Sequence, residues 1–465
     1  MFRARLLLLI LLAIVGCASP HKPALVTPPD TAHVAPPTLI TEVRVFTGLE
    51  DELSQPVDVL LAGGRVAKVA MPGELSPPAD AEIVDGKGRT LLPGLVDMNV
   101  RLGPPPDLAP WAGAIVDPRH QVEALLYSGI TTAVVVGHDI DVEALQKDIT
   151  QGKLAGPRMF RSSFAIAKDD AQEQGPFARF FRAKNVRLAK NPKDAARAAR
   201  RDFEYLRSDF AKVDFGDRNG IGRAELEAVV AEAHMYEREV FVDAKSPEAA
   251  AAAAQAGAAY LLHPPWTGVL SPMDLDAISI AGAPVGTTAR VWSAMSERLA
   301  GSHTTNELEG DILGRRVSTA EEDPGGGVSE NTRELAADYA RNSRENLREL
   351  FEMGVPLLVG TGAGLPGIIH GASIHQELEA LVAMGIPSAQ VLKMATSYPV
   401  RLLSPQSAFG VIGIGAYADL LLVEGDPLED IAAVGRIVAV WQAGRRLDRL
   451  APPDATTGAA AAPKR

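Results

Sequence analysis

Between residues 91 and 362 the chain alternates short apolar runs with longer amphipathic ones. The runs are LLPGLVDM (91–98), GITTAVVVG (129–137), PRMFRSSF (157–164), FAKVDF (210–215), VFVDA (240–244), YLLH (260–263), PVGTT (284–288) and PLLVGTG (356–362). Most are short and rich in β-branched or aromatic residues, so each is expected to be a strand. Helical patterns lie between most of them. RAELEAVVAEAHMYE (223–237) carries apolar residues at i, i+3, i+4 and i+7, and PEAAAAAAQAG (247–257) is a strong helix former ended by Gly257. Eight strand–helix units predict an α/β fold built on a (β/α)8 TIM barrel at 93–406. A doubly wound open sheet is the alternative, for which eight units is long.

The segments on either side read differently. Residues 39–92 hold short alternating strands, with Gly63-Gly64 marking a hairpin turn, and residues 407–448 hold the same kind of pattern in AFGVIGIGAYADLLLVEGD and GRIVAVWQAGRRL. The two are expected to pair into one small composite β-sandwich. Residues 301–330 interrupt the barrel pattern with a polar, Gly-rich insertion expected to be a surface loop, and its EEDPGGG (321–327) reads as solvated. The tail 449–465 is expected to be disordered.

The N-terminus reads as a targeting segment. Arg3 and Arg5 precede the apolar run Leu6–Val15, which is too short to span a bilayer comfortably and fits a signal-peptide core. The sequence Ile14-Val15-Gly16-Cys17 resembles the lipobox of bacterial lipoproteins. That resemblance implies cleavage of residues 1–16, a lipid anchor on Cys17, and a Pro-rich tether over 17–38. Ala18 is not the Asp that signals inner-membrane retention, so the expected location is the outer membrane, facing the periplasm. Cys17 is the only cysteine, which excludes an intrachain disulfide. Loss of Arg3 and Arg5 takes the net charge from −12 to −14, which argues against a nucleic-acid partner.

In a barrel, chemistry gathers where strands end on the C-terminal side. Those positions hold Asn99 and Arg101, His138, Lys212 and Asp214, Asp243 and Lys245, His263, and Gly360-Thr361-Gly362. The surrounding stretches resemble the amidohydrolase superfamily, in its imidazolonepropionase-like and Xaa-Pro dipeptidase-like branch. They include GKGRTLLPGLVDMNVRLG, AGAAYLLHPP, MGVPLLVGTGAG, HGASIHQELEALVAMGIPSAQVLKMATSYPVRLL and GIGAYADLLLVEGDPLEDI. The resemblance covers residues 39–448. It implies a metal-dependent hydrolase of C–N bonds with Zn or another divalent ion. The family takes His-x-His from strand one, a lysine from strand four, a histidine each from strands five and six, and an Asp from strand eight.

Carried over residue by residue, Lys212 matches the strand-four lysine and His263 the strand-six histidine. Asn99 and Arg101 stand at the His-x-His positions, Asp243 at the strand-five histidine, and Gly362 at the strand-eight Asp. Arg101 is a permanent cation with no acceptor and cannot ligate metal. Position 362 offers no base. The expectation is a pseudoenzyme with no metal, in which Arg101 fills the cation position and pairs with Asp243. Asn99, Arg101, Lys212, Asp243, Lys245 and His263 would line a slightly positive pocket for an anionic small molecule. One alternative is an active hydrolase with a rewired mononuclear site drawn from His263, Asp243, His138 and His370, with His370 and His375 otherwise structural. A second is an envelope scaffold or binding protein. The Trp residues read as core, and the oligomeric state is not legible.

Overall fold

The computed structural model describes residues 35–103, 118–138, 141–168, 186–216, 220–300, 302, 329–447 and 449, with the His138 side chain excepted. Cys17, the tether, most of the 301–330 insertion and nearly all of the tail lie outside the described residues.

Strands from both ends of the chain form one sheet. They are β1 (Thr38–Val45), β2 (Val57–Ala62), β3 (Arg65–Ala70), β4 (Glu82–Asp85), β5 (Arg89–Pro93), and then β16 (Leu420–Glu424), β17 (Ile437–Gln442) and β18 (Arg445–Arg446), the intervening β6 to β15 being barrel elements given below. The path runs β18-β17-β16-β5-β1-β2-β3, with β4 beside β1. β1 belongs to both halves. Its first residues pair with β2 and β4, and its last pair with β5. The change falls at Glu42, whose φ of +52° marks a bulge held by Asp58 Oδ1 at 2.9 Å from its N–H. Ile40, Val43, Val59, Leu91, Leu420 and Trp441 are fully buried between the two halves, giving the expected β-sandwich its core.

The barrel strands are β6 (Leu95–Leu102), β7 (Ile130–His138), β8 (Arg158–Arg161), β11 (Phe210–Asp214), β12 (Glu239–Asp243), β13 (Tyr260–Leu261), β14 (Val285–Gly286) and β15 (Leu357–Leu358), with β9 (Ala165–Ala167) pairing β11 and β10 (Val186–Leu188) pairing β9. All pair in parallel. The ring closes through two contacts. Asp209 N–H donates to Arg161 O at 2.8 Å, and Met98 N–H donates to Val359 O at 2.9 Å. Helices such as Arg223–Met235 and Pro247–Gln255 pack outside, burying Leu226, Val229, Ala250 and Ala253 against the strands.

One boundary differs from expectation. The run 91–98 is not a single strand. It divides at Gly94, where any Cβ would meet Thr131 Oγ1 at 2.1 Å, so only glycine lets the chain pass from the sandwich into the barrel. β5 stays with the sandwich, and β6 continues to Leu102. Asn99 and Arg101 therefore lie within a strand, not in the loop after it.

Candidate functional site

The two-residue period of the strands produces the site. On β11, Phe210, Lys212 and Asp214 share one face, and on β12, Phe241 and Asp243 do, with Lys212 opposite Phe241 and Asp214 opposite Asp243. Phe210 and Phe241 stack with centroids 4.1 Å apart, and Tyr260 meets Phe241 edge-on at 5.1 Å. These rings fill the barrel, and the next inward positions toward the mouth are charged.

Lys212 is 3% exposed. Its Nζ lies 3.3 Å from Asp214 Oδ1 and 3.8 Å from Asp243 Oδ2. Asp243 Oδ1 accepts from His263 Nε2 at 3.0 Å, and His263 Nδ1 faces Pro264 O at 3.2 Å. Burial works to raise the Asp243 pKa. The charges of His263, Lys212 and Arg101 outweigh it and hold the carboxyl well below the usual range. Lys245 follows the end of β12, and burial together with the nearby Arg101 charge lowers its ammonium pKa to about 8.

Arg101 does not pair with Asp243 as expected. Among the described residues no ion pair reaches its guanidinium, which lies along Gly137 with Nη1 3.5 Å from where a Cβ there would stand. The reason is geometric. Asp243 is already taken by His263 from the neighbouring strand and by Lys212 from the other side, so Arg101 acts on it at longer range. Asn99 points into the barrel. Its Nδ2 donates to Leu262 O at 3.1 Å, while its buried Oδ1 has no hydrogen-bond partner among the described residues.

Strand one is tied to strand eight by a residue that the sequence reading passed over. Asp97 is fully buried, accepts from Asn99 N–H and Thr361 N–H at 3.0 and 2.9 Å, and takes the Thr361 hydroxyl at 2.6 Å. Burial outweighs these bonds and raises its pKa to about 6. Glu377 was also passed over, because it lies inside an ordinary helical pattern. It is fully buried and accepts from Thr287 Oγ1 at 2.5 Å, Ala289 N–H at 2.7 Å and Arg290 N–H at 2.9 Å, capping the helix Ala289–Leu299. Burial, with a contribution from Asp97, lifts its pKa to about 7.

Gly362 has φ +73°, and a Cβ there would meet Val291 Cγ2 at 2.8 Å. The backbone has adopted a conformation that L side chains rarely take, where the resemblance places an Asp.

Of the four residues of the rewired-site alternative, His263 and Asp243 meet each other. His370 Nε2 instead sits 2.7 Å from Arg101 O, and burial lowers its pKa to about 4. The His138 side chain lies outside the described residues. His375 bonds Ser128 O through Nε2 at 3.0 Å, a structural role. Two of the Trp residues read as scattered core in fact meet beside the site. The Trp266 ring lies 4.2 Å from that of His263, and Trp292 follows at 5.4 Å. They are 26 residues apart on separate elements, so no local pattern joins them.

The strand-end residues do not fit a metal centre. The Arg101 guanidinium is a cation without a lone pair, His263 Nε2 and Asp243 are engaged with each other, Lys212 is held in ion pairs, and Gly362 has no side chain. Among the described residues no three His, Cys, Asp or Glu are grouped to hold an ion.

The amidohydrolase family model matches residues 90–447. Adenine deaminase 2 of Bradyrhizobium sp. (strain ORS 278) is 29% identical over 133 residues, 27% of this chain and 21% of that enzyme. Adenine deaminase 2 of Shouchella clausii (strain KSM-K16) is 28% identical over 103 residues, 22% and 16%. The chain thus matches about a fifth of the length of these curated relatives. A Xaa-Pro dipeptidase with methionine in its active site superposes with a TM-score of 0.71 at 23% identity, covering 88% of this chain and 99% of that one. The ochratoxinase of A. niger gives 0.69 at 18%, covering 89% and 96%. At these identities the structural likeness establishes the fold.

Proposed function

The chain belongs to the amidohydrolase family, and from that premise we propose that it is a member without the metal-dependent hydrolytic centre, whose barrel mouth binds a small anionic molecule. The observation that carries this reading is the His263–Asp243–Lys212–Asp214 network. It supplies from protein side chains the charge compensation that metal ions supply in the family. Burying these charges is tolerable only because they are mutually paired. The left-handed backbone at Gly362 supports the same reading, since it removes the base and the room for one.

The pocket's chemistry follows from what the network leaves over. Arg101 offers a fork of donors without a carboxylate on it among the described residues, and Lys245 stands close enough for the two cations to disfavour each other. A carboxylate or phosphate placed between them relieves that repulsion, and the guanidinium can grip it through two parallel hydrogen bonds. Asn99 Oδ1 adds an unmet acceptor, which favours a ligand that also carries an N–H or O–H donor. Trp266 flanks His263 and gives such a ligand an apolar wall. From its sequence, the mature protein would act as a lipoprotein anchored through Cys17 in the cell envelope.

The test is metal content together with anion binding. Protein from medium supplemented with zinc and manganese is expected to hold far less than one metal per chain by mass spectrometry. Malonate is expected to raise the melting temperature of the wild type and not of Arg101→Ala. Near-stoichiometric metal that disappears in His263→Ala would overturn the proposal.

A further inference from the structure

Outside the barrel wall, the helices Ala289–Leu299, Glu330–Glu352 and Ser373–Ala383 enclose a cavity of about 690 Å³ that shares no lining residue with the mouth. Arg290, Arg341, Arg344 and Arg348 line it, against one carboxylate, Glu345. Its floor is small and apolar, built from Ala340, Ala380, Ala383 and Met384.

The four arginines are not equivalent. Arg290 is clamped by Glu297 at 2.8 and 2.9 Å. Arg341 has Asp338 on its own helix, and Arg348 has Glu349 and Glu352. Arg344 has no carboxylate partner among the described residues. Its Nη2 donates to the buried Ser293 Oγ at 3.3 Å, which draws the guanidinium across the groove toward the 289–299 helix. Arg341, Arg344 and Arg348 stand three and four residues apart, so their side chains rise from one face of the helix as a ladder. A planar guanidinium fork matches phosphate oxygens better than an ammonium does. Beside this ladder lies a floor without polar side chains.

We propose that this groove is a second binding site, for a small molecule that joins a phosphate group to a flat apolar or ring body. The phosphate lies against Arg344 and Arg348, and the body lies on the alanine and methionine floor. The volume is ample for a nucleotide-sized ligand.

Calorimetric titration of the full chain tests the proposal with three probes: ADP, inorganic pyrophosphate and adenosine. ADP is expected to bind saturably and more tightly than either half alone. Arg344→Ala with Arg348→Ala is expected to weaken ADP at least about tenfold, the loss of a charge-assisted pair. Arg344→Lys, which keeps the charge and loses the fork, should fall between. Any ADP binding at the barrel mouth should disappear in Arg101→Ala, and the binding that remains should still fall when Arg344 and Arg348 are changed to Ala. These arginines are exposed, so the variants should melt as the wild type does. Absence of saturable ADP binding would overturn the proposal. So would binding indifferent to the Arg344 and Arg348 changes, or binding abolished by Arg101→Ala, which would assign the ligand to the mouth. A change in sedimentation of the double variant without a change in ADP binding would make the groove a face between copies and equally refute it.

Discussion

His263 Nε2 lies 3.0 Å from Asp243 Oδ1, and the two side chains are only 8% and 7% exposed. A buried carboxylate held this way stabilises its partners chiefly by being there. Removing it strands His263 and leaves Lys212 with Asp214 alone in a desolvated site. Asp243→Asn is therefore expected to cost about 3–5 kcal/mol by chemical denaturation. His263→Ala should cost less, because Lys212 still answers the Asp243 charge. In the double-mutant cycle the two changes should couple by about 1 kcal/mol or more. Additive losses would mean that the pair carries no shared energy.

The Gly362 backbone makes a second prediction. If the family's Asp were missing by simple substitution, Gly362→Asp would restore it. Here φ is +73° and the added Cβ presses on Val291 and Leu365. The variant should lose about 1–3 kcal/mol of stability by urea denaturation. It should gain no metal, even together with Asn99→His, Arg101→His and Asp243→His, because the added side chain starts against Val291 and Leu365. Stoichiometric metal in the fourfold variant would show that the loop readily reverts.

The fold was legible because the eight apolar runs and the paired flanking β segments each obey a clear period. The strand-end charges were legible for the same reason: alternation along FAKVDF and VFVDA fixes which residues face inward. What the sequence hid was partner choice. Asp243 takes His263 in preference to Arg101 because of where neighbouring strands place their ends, and no spacing encodes that. Glu377 was hidden inside an amphipathic helix. Its role follows from Thr287, Ala289 and Arg290, nearly ninety residues earlier. Asp97 read as part of a buried strand, and only its bond to Thr361 marks it as a tie across the barrel.

A third prediction concerns the join between sandwich and barrel. Arg158 on β8 bonds Asp419 at 3.0 Å, with the two side chains 6% and 2% exposed. Asp419 also accepts from Gln442 Nε2 at 2.9 Å and Ala443 N–H at 2.6 Å. Asp419→Ala leaves a buried guanidinium uncompensated and should cost about 3–5 kcal/mol. Because one carboxylate serves both parts, denaturation of the wild type followed by Trp fluorescence and by circular dichroism should show one transition. Two separated transitions would mean that the sandwich and barrel unfold independently.

The last prediction is a pH dependence with opposing contributions. Glu377 has a folded pKa of about 7, above its ordinary value of 4.5. Between these values the folded protein binds more protons than the unfolded chain. The stability this contributes is fully present below about 4.5 and is lost as pH rises through about 7. His370 and His375 run the other way. Burial lowers both to about 4 from 6.5, so the stability they contribute is present above about 6.5 and is lost as pH falls toward 4. Between pH 4.5 and 6.5 the slopes oppose each other, but two histidines outweigh one glutamate, so the net contribution of these groups should rise with pH by about one group's slope. Glu377→Gln removes one side of the balance. Relative to wild type, its destabilisation should grow as pH falls from 8 to 5, by on the order of 3 kcal/mol. Urea midpoints of both proteins at pH 5, 6.5 and 8 measure the difference directly. A difference that is constant across this range, or that grows toward pH 8, would show that Glu377 is ionised in the folded protein throughout and that the cap on Ala289 and Arg290 is a carboxylate cap.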